Sequence, residues 1–537
     1  MEQNLSLYLH IPFCVRKCLY CDFLSGPQSA DVQEQYVEAL CREIQETSPE
    51  YREYQVVSVF IGGGTPSVLL PEQTICIMET LKSCFTLTDT CEISMEMNPG
   101  TVTPEKMNAY RACGINRISI GLQSANDGEL KALGRIHTCA DFLKAYEMAV
   151  EAGFTNINVD LMSAIPEQTL KSYQETLQKV LALQPQPVHI SAYSLIVEEG
   201  TPFYEQELNL PDEETERRMY EITDDILREA GYHRYEISNY AKAGKECVHN
   251  KVYWQRGNYL GLGIGSASLI QNVRFHNVTD IWSYVNLMLG ENSIGNASKE
   301  HGEKFQAEKD CLKKGNAEKD CLKKGNTEKD CLKKNNAGKN DLKKENAEKE
   351  QVEKVNAEIE NVKKDNIEKN SAEEGNTEKN NIQSRNAARP DKNMIGRVKK
   401  LREEVQELPL EEQMEEFMFL GLRMMEGVSE RRFFENFGRR FEEVFPGVIE
   451  KHEKLGLLEV IREDAGKIEI KEEPDLNEKC QEEQGQLQEK EKCQEEQRKE
   501  KQEDKLQQEE RGREFVSLRL TPHGIDVSNQ VFVDFML

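Results

Sequence analysis

An α/β fold whose main domain is an open (β/α)6 partial TIM barrel is the prediction for this chain of 537 residues. Three observations support it. Six strand-like stretches alternate with helical patterns through the first 200 residues, as parallel strands joined by crossover helices do. Six units are too few to close the usual eight-fold barrel, so the barrel is expected to stay open. Motifs rich in cysteine, glycine and polar residues fall at the C-terminal ends of the strands, where such folds collect their active groups.

The strand-like stretches are Leu5–Ile11, Val56–Ile61, Glu92–Met97, Arg117–Ile120, Asn156–Leu161 and Val188–Tyr193. Helical periodicity fills the gaps over Val32–Glu46, Pro71–Cys84, Pro104–Cys113, Cys139–Ala152 and Leu170–Leu183. Further on, Glu415 to Met425 reads as an amphipathic helix, Phe433 to Phe445 as another, and Phe515–Leu520 as a strand. Together they predict a small winged-helix-like domain.

Two charged tracts interrupt this pattern. Residues 307–386 are eight successive decapeptides, beginning Ala-Glu-Lys-Asp-Cys-Leu-Lys-Lys-Gly-Asn and decaying toward Asn386. A period of ten fits neither a heptad nor an eleven-residue supercoil, and so few apolar residues cannot offset the entropy of ordering. Cys311, Cys321 and Cys331 read as by-products of repeat expansion rather than metal ligands. A second tract, Lys471 to Gly512, is rich in Glu, Gln and Lys. The resulting division is a barrel with its extension over 1–290 and a disordered repeat insertion over 295–390. A C-terminal helical, winged-helix-like domain covers 391–470 and 513–537, with an acidic insertion at 471–512.

Composition narrows the function. A formal charge of −27 argues against a nucleic-acid partner. No apolar run approaches the ~20 residues of a membrane helix. Met1-Glu2-Gln3-Asn4 leads straight into a strand, so a reducing, cytoplasmic setting is expected, with free thiols and metal ligands as the default.

The most informative motif is Cys14-x3-Cys18-x2-Cys21, three thiols on one loop after the first strand. A cubane iron–sulfur cluster takes four cysteines and structural zinc four cysteine or histidine ligands, so three thiolates leave one iron open to something other than protein. Zinc completed by His10 is the competing reading. These spacings do not match the paired knuckles of zinc modules.

Gly62-Gly63-Gly64-Thr65-Pro66 follows the second strand and lets backbone approach a ligand, with N–H and C=O groups exposed to it. Glu96-Met-Asn98 closes the third strand, Ser119 to Gln123 the fourth, and Asn158-Val-Asp160 the fifth, while Arg135 and His137 follow the fourth. Carboxylates for an amine or ribose, an Arg for a carboxylate and an amide for orientation suit S-adenosylmethionine, an amino acid joined to a nucleoside.

These motifs resemble the radical S-adenosylmethionine (radical SAM) superfamily, and within it the coproporphyrinogen-dehydrogenase-like group. The resemblance covers about 1–290, 391–460 and 513–537. It implies that Cys14, Cys18 and Cys21 hold a [4Fe-4S] cluster whose open iron binds S-adenosylmethionine and which takes electrons from a donor. It further implies cofactor contacts at Tyr8, Tyr20, Gly63, Gly64, Thr65, Glu96, Gln123, Arg135 and Asp160. His10 and His137 would support that environment without ligating metal.

Oxygen-independent coproporphyrinogen dehydrogenases carry another cysteine two residues after the third. Phe23 stands there in this chain, which resembles the heme-chaperone (HemW) branch instead. Cys247-Val-His249-Asn250-Lys-Val-Tyr253-Trp254 is similar to an element that this branch associates with heme, and it marks His249, Tyr253 and Trp254 as heme contacts. Imidazole ligates heme iron, and indole and phenol offer a flat aromatic wall. On residue type alone, a His beside Tyr and Trp also fits a hydrogen-bonded core position.

The resemblance therefore implies a chaperone that binds heme, a [4Fe-4S] cluster and S-adenosylmethionine, and passes heme to a haemoprotein acceptor. The alternative is an oxygen-independent coproporphyrinogen III oxidase of porphyrin biosynthesis, and Phe23 counts against it. A transfer-RNA-modifying enzyme fits the barrel but not the acidic balance. Because the repeats add no core, deleting 307–386 should shift the melting temperature by no more than about 2 °C, read by calorimetry.

Overall fold

Strands buried on both faces need an apolar residue at every second position, where they meet the surrounding helices. Ile118, Ile120 and Leu122 meet that need. They alternate with Arg117, Ser119, Gly121 and Gln123, and all of these residues are buried. The computed structural model, which describes residues 3–290, 392–462 and 515–536, places this stretch inside a 12-stranded sheet. Strands β1 (Gln3–Ile11), β2 (Tyr54–Gly63), β3 (Leu87–Met97), β4 (Arg117–Gln123), β5 (Asn156–Ser163) and β6 (His189–Ser194) run parallel in that order. All six expected strands are present.

Helices Ala30–Thr47, Pro71–Cys84, Pro104–Ala112, Cys139–Glu151 and Leu170–Leu181 follow the first five strands. Their starts are set locally. Ser29, Thr103, Thr138 and Thr169 each accept a bond from a first-turn amide, satisfying a donor that the helix itself cannot. Pro71 and Pro104 occupy first-turn positions that need no N–H.

The sheet extends past both expected edges. β7 (His233–Glu236) and β8 (Asn239–Ala241) form a hairpin antiparallel to β6. On the other side β9 (Tyr259–Leu262) lies parallel to β1. β10 (Ala267–Ile270), β11 (Val273–Asn277) and β12 (Arg402–Glu407) continue from it antiparallel. The parallel run is thus seven strands, not six. Glycines hid β9, because Gly is depleted in strands. Gly261 is needed there, since a Cβ would stand 2.4 Å from the Ala267 carbonyl oxygen.

β12 also moves a boundary. Residues 392–407, expected in the C-terminal domain, add the helix Lys392–Leu401 and an edge strand to the barrel sheet. The C-terminal part proper packs helices Leu410–Gly421, Glu430–Phe437, Phe441–Val444 and Val448–Lys454 against a three-stranded antiparallel sheet. That sheet is β13 (Val428–Ser429), β14 (Leu458–Arg462) and β15 (Val516–Leu520), with β15 central. Phe417, Phe433, Phe441, Phe445 and Phe535 form its core. The single helix expected over Phe433–Phe445 is two, because Gly438 adopts φ +65° and terminates the first. Arg462 pairs with Val516, so the acidic tract falls between neighbouring strands. The repeat insertion at 295–390 and the acidic insertion at 471–512 lie outside the described residues.

One buried carboxylate ties the first helix to the far side of the sheet. Glu43 accepts from Gly263 N at 2.8 Å, Asn277 Nδ2 at 2.6 Å and Tyr284 Oη at 2.6 Å. On the same helix, Tyr36 donates to the His10 carbonyl at 2.7 Å and accepts from Ile264 N at 3.2 Å. Glu43→Ala would strand three buried donors. It should cost about 3 kcal/mol in urea unfolding, with Glu43→Gln losing less because one acceptor oxygen survives.

Candidate functional site

The second face of each strand builds the site. Alternate residues Phe60 on β2, Glu96 on β3, Ser119, Gly121 and Gln123 on β4, Asp160 on β5 and Ser191 and Tyr193 on β6 line one cavity of about 490 Å³ at the C-terminal strand ends. Cys14, Cys18, Cys21, Tyr20, Gly63, Gly64, Thr65, Asn98 and Arg135 line the same cavity. The three cysteines and eight of the nine proposed cofactor contacts therefore share one mouth. Tyr8 is the exception. It packs beside Phe60 and His249 and hydrogen-bonds His10 Nδ1 at 3.1 Å, so its place is behind the cavity wall.

The cysteine loop is pinned at several points. Cys14 N donates to Gly26 O and Gly26 N to Pro12 O, both at 3.0 Å. Leu19 N donates to Leu133 O, while its own carbonyl accepts from Phe203 N. His10 Nε2 bonds the Leu24 carbonyl at 2.8 Å, tying the end of the loop to β1. The three thiols are half-buried. Thr65 Oγ1 donates to Cys14 Sγ at 3.5 Å and Arg135 Nη1 to Cys18 Sγ at 3.7 Å. Burial pushes the Cys21 thiol pKa up, partly offset by the Phe23 amide and Lys17. Among the described residues, no three His, Cys, Asp or Glu side chains are gathered as one metal ion would need.

The glycine turn works differently from the sequence expectation. Its amides are not free for a ligand: Gly63 N donates to Glu96 Oε2 at 3.1 Å, Gly64 N to Ile11 O at 2.9 Å and Thr65 N to Phe13 O at 2.7 Å. The glycines serve close packing. Gly63 has φ +104°, and a Cβ would lie 2.5 Å from the His10 ring. At Gly64 a Cβ would lie 2.7 Å from the Phe13 carbonyl oxygen. The turn thus seats the start of the cysteine loop.

Two carboxylates face each other across the mouth. Glu96 is pushed up to about 8, first by burial and then by Asp160, with the Gly63 amide and Arg117 pulling the other way. Burial also raises Asp160, opposed by bonds from Asn158 Nδ2 at 2.7 Å and Ser119 Oγ at 3.0 Å. Such a pair holds a proton near neutrality and gives it up when a cation arrives. Arg135 is fixed by Asn98 Oδ1 at 2.6 Å and Gly121 O at 2.7 Å. Its Nε is buried without a hydrogen-bond partner. Gln123, at φ +68°, accepts from Tyr193 Oη at 2.8 Å. His137 bonds the Leu122 carbonyl, and burial with Arg135 lowers its pKa to about 4.

The proposed heme residues sit elsewhere. His249 is only 1% exposed. Its Nδ1 bonds Ser58 Oγ at 3.0 Å, its Nε2 bonds Tyr253 Oη at 3.2 Å, and its ring stacks on Phe60. Both nitrogens are committed within the protein, so this conformation gives iron no open face of the imidazole. Burial and Arg117 lower its pKa to about 3. Trp254 packs near Tyr235, Cys247 and Met424, under the Arg423 guanidinium.

Between the mouth and the helix Val248–Trp254, which carries His249, Tyr253 and Trp254, runs a buried network that sequence reasoning missed. Glu92 accepts from Val248 N at 3.2 Å and from His249 N and Cys247 Sγ at 3.3 Å. Arg117 Nε lies 4.0 Å from Glu92, and its Nη1 donates to Ser94. His189 bonds Asn158 at 2.6 Å and Tyr235 at 2.9 Å. The signal was available as polar residues at every second position, Glu92-x-Ser94-x-Glu96 and Arg117-x-Ser119.

Residues 8–180 match the family model described as Radical SAM superfamily, and 408–464 match HemN C-terminal domain. Over 267 residues the chain is 41% identical to "Heme chaperone HemW" of Haemophilus influenzae, covering 49% of this chain and 69% of that protein. The chain belongs to the HemW family of the radical SAM superfamily. The HemW protein of Bacillus subtilis is 38% identical over 288 residues, covering 53% of this chain and 76% of its own. Coproporphyrinogen III oxidase (HemN) of Escherichia coli, a solved structure, is 26% identical with a TM-score of 0.49, over 54% of this chain and 70% of that one. Among the described residues no helix is long and apolar enough to cross a membrane.

The carboxylate pair of this HemW family member predicts a pH effect. Glu96 is raised in the folded state, so its stabilising share is full below the ordinary value of 4.5 and is lost as pH rises through about 8. Melting temperature without ligand should fall across that window, and Glu96→Gln should flatten the profile.

Proposed function

We propose that this protein is a heme chaperone that carries a [4Fe-4S] cluster on Cys14, Cys18 and Cys21, binds S-adenosylmethionine in the barrel mouth, and transfers heme to an acceptor haemoprotein. The observation that carries the reading is the meeting of three half-buried thiols with Glu96, Asp160, Gln123 and Arg135 in one cavity. The donor set fits a cluster with one open corner. Three thiols come from one loop, two receive hydrogen bonds, and the other polar groups surround the same space.

A cluster bound there would supply one electron at a time and a coordination position for a small ligand. The chain's own residues would do the holding. Glu96 and Asp160 balance a cationic ligand, Arg135 keeps its fixed orientation beside Cys18, and Gln123 presents an amide held by Tyr193. Gly63 and Gly64 keep side chains out of the approach to the cysteine loop.

For heme, the relatives' printed name supports binding. The mouth also has an apolar rim, with Phe23 62% and Ile196 68% exposed beside Arg16 and Lys17. Such a rim suits a flat apolar ring bearing acidic side chains. Ligation by His249 would require it to give up its bond to Ser58 or Tyr253, with Tyr253 and Trp254 shifting alongside. The barrel with its extension is proposed as the working part, the C-terminal unit as its support, and the tracts at 295–390 and 471–512 as insertions into a cytoplasmic protein.

Anaerobically reconstituted protein decides between the readings. Titration should give heme binding at one per chain with no protoporphyrinogen IX formed from coproporphyrinogen III. Turnover of that substrate would overturn the chaperone reading. Cys18→Ala should abolish the visible absorbance of the cluster while leaving circular dichroism unchanged, and unaltered iron content would refute the ligand assignment.

A further inference from the structure

Two cysteines away from the barrel mouth lie against each other. Cys41, on the helix Ala30–Thr47, is 7% exposed. Cys76, on the helix Pro71–Cys84, faces solvent. Their sulfurs are 3.7 Å apart across 35 positions of sequence, and the two helices pack on one another.

An accessible thiol beside a sheltered one is the arrangement that lets a first oxidation product be captured by a resolving thiol. A disulfide places its sulfurs about 2.05 Å apart, so closing this gap takes less than about 2 Å of side-chain movement. Burial drives the Cys41 thiol up to about 12, so the sheltered partner keeps its proton until it is called on.

We propose that Cys41 and Cys76 form a reversible dithiol–disulfide pair, oxidised by hydroperoxides, that clasps the two helices behind the cysteine loop and the glycine turn. The Cys76 thiolate attacks one peroxide oxygen, the O–O bond breaks, and the released hydroxide takes up the proton that Cys76 gave up, leaving as water and Cys76 as a sulfenic acid. The Cys41 sulfur then attacks the Cys76 sulfur. The S–S bond forms as the S–O bond breaks, and the Cys41 proton leaves with the hydroxyl as a second water. Two thiols and one hydrogen peroxide give one disulfide and two waters, and two electrons pass from sulfur to oxygen. A dithiol reductant returns both thiols.

The location gives the bond a structural consequence. The helix carrying Cys41 follows the cysteine loop and holds the His10 carbonyl through Tyr36. The helix carrying Cys76 starts soon after the Gly62–Pro66 turn. A covalent link between them would fasten the two segments that frame the mouth. In a reducing compartment such links are transient and oxidant-dependent.

The test uses the reduced full-length chain, a small excess of hydrogen peroxide, alkylation of remaining thiols, digestion and mass spectrometry. A peptide joining Cys41 to Cys76 should appear, two hydrogens lighter than its parts, and vanish after dithiothreitol. It should be absent from Cys41→Ser and Cys76→Ser. In Cys41→Ser the sulfenic acid on Cys76 should be trapped by dimedone. The proposal is overturned if Cys76 remains alkylatable under peroxide, joins Cys84 or another cysteine, or passes to the sulfinic acid without the cross-link.

Discussion

Charge inside a barrel is tolerable only when each ionised group has a partner, and here that constraint centres on Arg117. The residue is 2% exposed and sits between carboxylates on the two neighbouring strands, β3 and β5. Glu92 lies on one side, while Asp160 and Glu96 respond to its charge from the mouth. Without a cation there, Glu92 would lose its charged partner and Asp160 and Glu96 a nearby counter-charge. Arg117 moderates the upward shift that burial and Asp160 impose on Glu96, and the polar lumen and the seat of the helix Val248–Trp254 follow from the placement of this guanidinium. Glu92 transmits it outward by accepting the amides of Val248 and His249.

Function and packing are divided between the two faces of the same strands. The outward residues Ile118, Ile120 and Leu122 bind the helices and make the barrel stable. The inward residues are expensive to bury, yet together with the loops at the strand ends they build the mouth. The glycine turn shows how tightly the two tasks are coupled. Gly63 and Gly64 are spent on seating the cysteine loop, while the carboxylate that caps Gly63 is also the one aimed into the cavity.

Much of this was legible in the sequence, for physical reasons. Six strands and five helices stand out because hydrophobic period and capping residues agree, as at Thr138 before Cys139–Glu151. The residues singled out by the cysteine spacing and the polar strand ends gather in one mouth, with Tyr8 alone among the nine proposed cofactor contacts outside it. What stayed hidden depends on tertiary contact. β9 is glycine-rich because another backbone approaches it, and nothing local announces that. His249 is marked as a heme contact by the resemblance and by type fits a core position; it is hydrogen-bonded at both nitrogens. The free amides expected at Gly63–Thr65 are consumed by the Glu96 carboxylate, strand β1 and the loop after it.

The pairing of Arg462 with Val516 has a practical side. Chain leaving one strand and re-entering its immediate neighbour closes a loop whose entropic penalty grows only with the logarithm of its length. The connection between β14 and β15 is therefore a natural graft point. A fluorescent reporter or affinity handle spliced into it would leave and re-enter the C-terminal sheet at adjacent strand ends, already held side by side by the host.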